Sequence, residues 1–156
     1  MDRIKNLLIE FWIWTGLDED CWWTTEISEI DVEPLYFPQL DTLRNECEKL
    51  LGSTMDEDDL NLLLLSMALD GEDERILDCC RGFKDYLFLE KLVAVGVFHP
   101  QSEARWQLTE ILRNPIPNRM KYLLLLAQDD NAYVRKRAHN VLNTVAQSST
   151  GDGSMC

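Results

Sequence analysis

Glycine and proline are scarce in this chain, with 7 and 5 examples among 156 residues. No P-loop, GxSxG elbow or HExxH zinc motif is present, and no convincing strand pattern exists to carry a glycine-rich loop. His99 and Glu103 could share a helix face, but two ligands do not make a metal site. The sequence therefore predicts no catalytic residues, no bound metal and no cofactor, and we expect that the protein is not an enzyme.

Long apolar runs and paired cysteines are also missing. No stretch approaches the roughly 18 unbroken apolar residues that a membrane span requires, and the charged start leads into no signal-peptide cleavage pattern. The five cysteines are odd in number and contain no CxxC pair, which is typical of reduced thiols (Cys21, Cys47, Cys79, Cys80 and Cys156). We expect a cytoplasmic protein that binds no membrane.

Basic residues are few in the first half of the chain. Residues 1–78 hold 21 acidic and 5 basic residues, whereas residues 79–156 hold 7 and 10, within an overall net charge of −13. A chain this acidic repels phosphate, so we expect no nucleic acid as a partner. Its natural partner is a basic protein, although the acid could equally serve solubility alone.

Helical periodicity dominates what is present. Ile4, Leu7, Leu8 and Phe11 form one stripe of a first helix that we expect to end near Gly16. Residues 17–37 break the pattern and predict a loop or short irregular turns. A second helix precedes Gly52, a position suited to a left-handed cap.

A third helix follows, and its interior is almost entirely apolar. Thr54 and Glu57 have the spacing of a capping box at its start. Residues 60–69 leave little polar face, so this helix must have neighbours on most sides.

The chain then repeats itself at intervals of thirty residues. An apolar helix, a turn and a second helix entered through an arginine recur around Arg75, Arg105 and Arg135. The match is best between the last two copies, where Ala104, Leu108, Ile111 and Leu112 align with Val134, Ala138, Val141 and Leu142. Similarity at such a period is typical of an α-solenoid, in which helix pairs stack on one another.

The pattern Asp-Asp-Asn-x-x-Val-Arg-x-x-Ala-x-x-x-Leu at 129–142 resembles the second half of a HEAT repeat. The resemblance implies an all-α fold: a short right-handed α-solenoid of HEAT-like helix pairs over residues 56–147, preceded by a non-repeat helical cap over residues 1–52. Residues 1–147 would form a single domain, and residues 148–156 a flexible tail. It also implies that Arg75, Arg105 and Arg135 form a structural ladder with turn aspartates.

Residues 12–33 combine tryptophan with acid and are the strongest candidate for a binding surface. Tryptophan is enriched in interface hot spots, and surrounding carboxylates steer a basic partner. Alternatively, these rings cap the exposed end of the core; we expect Trp12 to be buried, and Trp22 and Trp23 not both to be. Including two further acidic clusters, the predicted partner-binding residues are Asp18, Glu19, Asp20, Trp22, Trp23, Glu26, Glu29, Asp31, Asp56, Glu57, Asp58, Asp59, Glu72 and Asp73.

These features predict an acidic protein-binding module, monomeric alone, that blocks a basic partner by stoichiometric occlusion. Small acidic helical-repeat proteins of this kind resemble bacterial immunity proteins, whose toxin partners are often basic nucleases. A general adaptor that holds a peptide on the concave face of its repeats is the first alternative. A HEAT-like nucleic-acid enzyme is the second, and it would require a basic concave face.

Overall fold

The structure is a computed structural model and describes residues 1–150. It confirms the all-α prediction, since these residues form eight α-helices and no strand. The helices are α1 (Asp2–Thr15), α2 (Leu40–Leu50), α3 (Glu57–Leu69), α4 (Arg75–Gly82), α5 (Tyr86–Gly96), α6 (Ser102–Ile111), α7 (Arg119–Leu126) and α8 (Ala132–Thr150). Residues 16–39 between α1 and α2 contain three short 3-10 turns, Glu19–Cys21, Ile27–Glu29 and Pro34–Tyr36.

Local signals determine several helix ends. The left-handed Gly16 terminates α1, and Gly52, which is also left-handed, follows α2. The expected capping box at Thr54 is wrong, because Asp56 precedes α3 and its Oδ1 accepts from the backbone N–H of Asp59 at 2.9 Å. Aspartate directly before the first helical turn satisfies that N–H as well as threonine would.

The end of α8 differs from the expected boundary. A tail was expected from Ser148, but α8 continues to Thr150, and the hydroxyls of Ser148 and Ser149 donate to carbonyls one turn earlier. The rest of the predicted tail, residues 151–156, lies outside the described residues.

Helix α6 occupies the centre of the molecule. It contacts α3, α4, α5, α7 and α8, and every residue from Ala104 to Ile111 is buried. Around it, α3 also packs on α1 and α5, and α4 on α2. The buried Gln107 is polar, and part of the cost of burying it is offset because its Nε2 donates to the Met67 carbonyl at 2.8 Å. This helix therefore presents no open face to solvent.

The three repeated arginines have different partners. Arg105 spans two helix pairs, since its Nε and Nη2 donate to Asp129 at 2.8 and 3.0 Å while its Nη1 donates to the carbonyl of His99. Within residues 1–150, the side chain of Arg135 donates only to the carbonyls of Asp129 and Asp130 in the turn before it. Arg75 reaches backwards to Asp41 at 2.8 Å and is half exposed.

Arg44 in α2 was missed by the repeat pattern, yet it forms more ion pairs than any other side chain within residues 1–150. Its guanidinium contacts Asp41, Asp70 and Asp73, and its side chain is buried. It therefore links α2 to the α3–α4 turn as Arg105 links α6 to the α7–α8 turn.

Candidate functional site

Trp22, predicted to be on the binding surface, belongs mainly to the core. Its side chain is 5% exposed and stacks on Trp12, with ring centroids 5.6 Å apart. Trp12 is buried as expected and packs edge-on against Phe11. Asp18 and Asp20, which precede it in the sequence, are exposed, so local charge was a poor guide to the burial of Trp22.

Glu26, another predicted partner-binding residue, instead caps a helix. Its carboxylate accepts from the backbone N–H of Ser102 at 3.2 Å and from the Ser102 hydroxyl at 3.1 Å, at the start of α6. Next to it, Gln101 donates to the Thr25 carbonyl at 2.8 Å and accepts from the Ile27 N–H at 2.9 Å. These four hydrogen bonds, here called the Gln101 latch, hold residues 25–27 on the α5–α6 turn.

An open groove lies beside this latched segment. It has a volume of about 610 Å³ and is bounded by α1, residues 22–23, the first turns of α3 and the end of α5. We call it the Trp23 groove; its lining residues are Lys5, Trp22, Trp23, Glu57, Asp58, Asn61, Leu62, Val95, Phe98 and Pro100. A groove of this size accommodates several side chains of a partner segment.

Aromatic side chains on the rim of the groove are open to solvent. Phe98 is 79% exposed and Trp23 is 39% exposed. The Trp23 ring packs edge-on against the buried His99 ring, with centroids 5.8 Å apart, so its position is supported from beneath. Large exposed rings around a concavity are typical of binding sites rather than of inert surface.

The charges in the groove are unequal. Glu57 and Asp58 are exposed carboxylates in the first turn of α3, and Lys5 is the single cation among the lining residues. Neither carboxylate forms an ion pair within residues 1–150. The positive end of the α3 dipole offsets part of their charge, but an incoming cation still meets two unpaired carboxylates.

The remaining predicted acidic residues do not converge on one place. Asp73 is engaged by Arg44, the Asp56 carboxylate accepts the backbone N–H of Asp59 in the α3 cap, and the side chain of Asp59 is half-buried. Glu72 lines a separate cavity of about 270 Å³ together with Glu33 and Glu103. Asp18, Asp20, Glu29 and Asp31 are exposed, whereas the side chain of Glu19 lies outside what the structure describes.

Burial keeps two titratable side chains, one that supports the groove and one in α2, in their neutral forms near pH 7. Burial lowers the pKa of His99 to about 4, so the imidazole is neutral near pH 7. Burial likewise raises the pKa of the Cys47 thiol to about 12, which suppresses the thiolate. Within residues 1–150, no group of three His, Cys, Asp or Glu side chains could hold a metal ion, and Cys21, Cys47, Cys79 and Cys80 are free.

Sequence reasoning missed the apolar groove residues of α3 and of the segment around the end of α5. Leu62 and Val95 belong to apolar helices that sequence alone assigns to the core, and Phe98 follows the end of α5. One signal was available for Phe98, because it stands two residues after Gly96 and two residues before Pro100, where a helix is ending.

Comparison of the chain with protein-family models, with curated proteins and with solved structures finds no match. No helix among residues 1–150 is both long and apolar enough to cross a bilayer.

Proposed function

We propose that this chain is a protein-binding module whose Trp23 groove holds a segment of a basic partner and blocks that partner in a one-to-one complex. The observation that carries the proposal is the pairing of exposed aromatic rings with unpaired carboxylates around one concavity, namely Trp23 and Phe98 with Glu57 and Asp58. Rings supply contact area, and carboxylates steer and pair a basic segment.

The architecture we propose is a short right-handed α-solenoid of HEAT-like helix pairs with a helical cap over residues 1–52. Its support is the thirty-residue spacing of Arg75, Arg105 and Arg135, and the succession of contacts from α2 to α4, α6 and α8. In a solenoid of so few helix pairs, the other helices surround α6, and the residues of α6 are buried. The binding surface is therefore the Trp23 groove and not a concave face.

The biological role that suits this chemistry is immunity: occlusion of a basic, nuclease-type toxin inside the cell that carries the module, without enzymatic activity, metal or cofactor. The support is the charge distribution, because residues 1–78 carry 21 acidic residues against 5 basic ones. The negative electrostatic potential of these residues accelerates association with a cationic protein and repels nucleic acid.

A general adaptor is the second candidate, and one observation favours it. A second apolar surface lies on α7, where Met120, Leu124 and Leu125 are exposed and do not line the Trp23 groove. Two separate surfaces would allow one chain to join two partners. An inhibitor needs only one of them.

Affinity purification of the tagged protein from its own cells, at low and at high salt, tests the proposal. We expect one basic partner in equal amounts, with less recovered at high salt because exposed charges are screened. Replacing both Trp23 and Phe98 with Ala should abolish recovery. The control is Tyr36→Ala, which removes a ring that is 69% exposed and lies outside the groove.

The outcomes separate the two candidates. Loss of the partner in the groove variant, together with inhibition of the partner's activity by equimolar wild-type protein, supports occlusion. Recovery of two different proteins, one sensitive to the groove variant and the other to Leu124→Glu, favours the adaptor. Undiminished recovery with the groove variant would contradict the proposed site.

A further inference from the structure

We infer that the Trp23 groove recognises a single arginine side chain flanked by an apolar residue in the partner. This inference rests on the proposed function and specifies the chemistry of the segment that is bound. It follows from three properties of the groove: two unpaired carboxylates, a supported aromatic ring and an uncovered apolar floor.

The carboxylates define where the cation sits. Glu57 and Asp58 are adjacent in the first turn of α3, and Asn61 one turn later lines the same groove. Within the described chain no lysine or arginine neutralises either carboxylate. A partner cation beside α3 therefore gains two acceptors that nothing in the free protein occupies.

The aromatic ring favours arginine over lysine. Trp23 is fixed from below by the edge-on contact with His99, and His99 is neutral near pH 7 because burial lowers its pKa. The imidazole beneath the indole therefore carries no positive charge that would oppose a cation above it. A planar guanidinium stacks on such a face and pairs with carboxylates in the same pose, whereas an ammonium is more strongly hydrated.

The apolar floor requires a neighbouring apolar side chain. Leu62 and Val95 are half-buried at the groove surface, and Phe98, which lines the same groove, is exposed. An aliphatic or aromatic residue next to the arginine would remove these three side chains from water. A charged side chain without an apolar neighbour would leave these three side chains exposed to water.

Lys5 restricts the number of cations. It is exposed, lines the same groove and forms no ion pair within residues 1–150. A second basic side chain in the groove would meet its ammonium group. The groove therefore selects one arginine with an apolar neighbour rather than a polybasic run.

Capped tripeptides test the inference on the whole protein. The indole N–H signals of the tryptophans, assigned with Trp→Phe variants, are followed by nuclear magnetic resonance during titration with four peptides: Leu-Arg-Leu, Leu-Lys-Leu, Leu-citrulline-Leu and Arg-Arg-Arg. Citrulline keeps the shape of arginine but is neutral. We expect Leu-Arg-Leu to shift the Trp23 signal and to bind about tenfold more tightly than the citrulline peptide. Leu-Lys-Leu and Arg-Arg-Arg should bind more weakly than Leu-Arg-Leu.

Charge variants of the protein localise the preference. In the double variant Glu57→Gln, Asp58→Asn, the arginine and citrulline peptides should bind equally. Glu10→Gln removes an exposed carboxylate of α1 outside the groove and should leave the tenfold preference intact. Equal binding of the two peptides to the wild type, or no shift at about 5 mM peptide, overturns the inference.

The two proposals fail in different ways. Peptide preference in the absence of any cellular partner would remove the blocking role and retain the groove chemistry. Capture of a partner that depends on Trp23 and Phe98, combined with equal citrulline binding, would retain the blocking role and overturn the arginine assignment.

Discussion

Asp70 holds Arg44 with one carboxylate oxygen and caps helix α4 with the other. The Arg44 Nε lies 2.5 Å from Oδ1, and the Ile76 N–H donates to Oδ2 at 2.8 Å. Asp70 is 1% exposed, so this single carboxylate joins α2, the α3–α4 turn and α4 inside the core. Removing one partner of such a buried ion pair leaves the other charge uncompensated inside the core, which destabilises the folded protein.

Replacing Arg44 with Met should lower the free energy of unfolding by about 3–5 kcal/mol, because Asp70 would remain buried without its cation. Arg75→Met is the matched control, since Arg75 is half exposed and pairs with the exposed Asp41. We expect the control to lose at most about 1 kcal/mol. Urea denaturation followed by circular dichroism measures both, and equal losses would contradict the ranking.

The Gln101 latch gives a second prediction. Gln101→Ala removes two hydrogen bonds and leaves the Thr25 carbonyl and the Ile27 N–H unsatisfied, at a cost of about 1–3 kcal/mol. Hydrogen exchange at the Ile27 amide should accelerate more than exchange in α8. Gln128→Ala, at an exposed position, should change neither quantity. Unchanged protection of Ile27 would show that the latch contributes little.

Two glycines at corresponding helix ends should respond in opposite directions. A Cβ added at Gly96, the last residue of α5, would lie 2.6 Å from a Leu108 methyl and 2.9 Å from a Leu64 methyl. Gly96→Ala should therefore destabilise by about 1–3 kcal/mol. Gly82, the last residue of α4, has open space, so Gly82→Ala should stabilise by roughly 0.5 kcal/mol. Thermal unfolding of both variants checks the sign of each change.

His99 should make stability depend on pH. Its pKa falls from 6.5 to about 4 on folding because of burial, so between these values the unfolded chain binds a proton that the folded chain does not. Stability therefore falls as the pH falls through this window, by about 2 kcal/mol from pH 6.5 to pH 5.

The variant His99→Asn isolates this contribution, because an amide oxygen can accept the Gln101 N–H as Nδ1 does. The pKa values of Glu46, Glu110 and Asp129 are lowered on folding. These carboxyl groups therefore change the stability at lower pH, and they do so in the wild type and in the variant alike. Free energies of unfolding at pH 7.5 and pH 5 should thus differ less in the variant. Identical differences would exclude His99 as the source.

The sequence predicted what depends on neighbours along the chain. The stripe of Ile4, Leu7, Leu8 and Phe11 is buried, and Gly16 ends α1 in the left-handed conformation. Which of Trp22 and Trp23 is buried could not be predicted, because the burial of Trp22 depends on Trp12 and on a latch between residues about 75 positions apart. Long-range packing of this kind has no signature in a local window.

The difference between local signals and long-range packing also explains which residues of the Trp23 groove were predicted. Trp23, Glu57 and Asp58 were predicted from composition, since aromatic and acidic residues are conspicuous in a sequence. Phe98 and Val95 come from a distant helix, and only the packing of α5 on α3 brings them to the same concavity. The arginine contacts follow the same rule: Arg44 lies outside the repeat pattern, and its partner Asp70 is 26 residues away.

The Gln101 latch limits which segments of this protein can be deleted or inserted. Repeat arrays usually tolerate the deletion or insertion of whole units, because each unit contacts only its neighbours. Here the start of α6 is capped by Glu26, a residue from before the first repeat. A fragment beginning at α3 would leave that helix end without its carboxylate, and an inserted repeat would move Gln101 away from Thr25 and Ile27. The units are repeated in sequence but are not interchangeable parts.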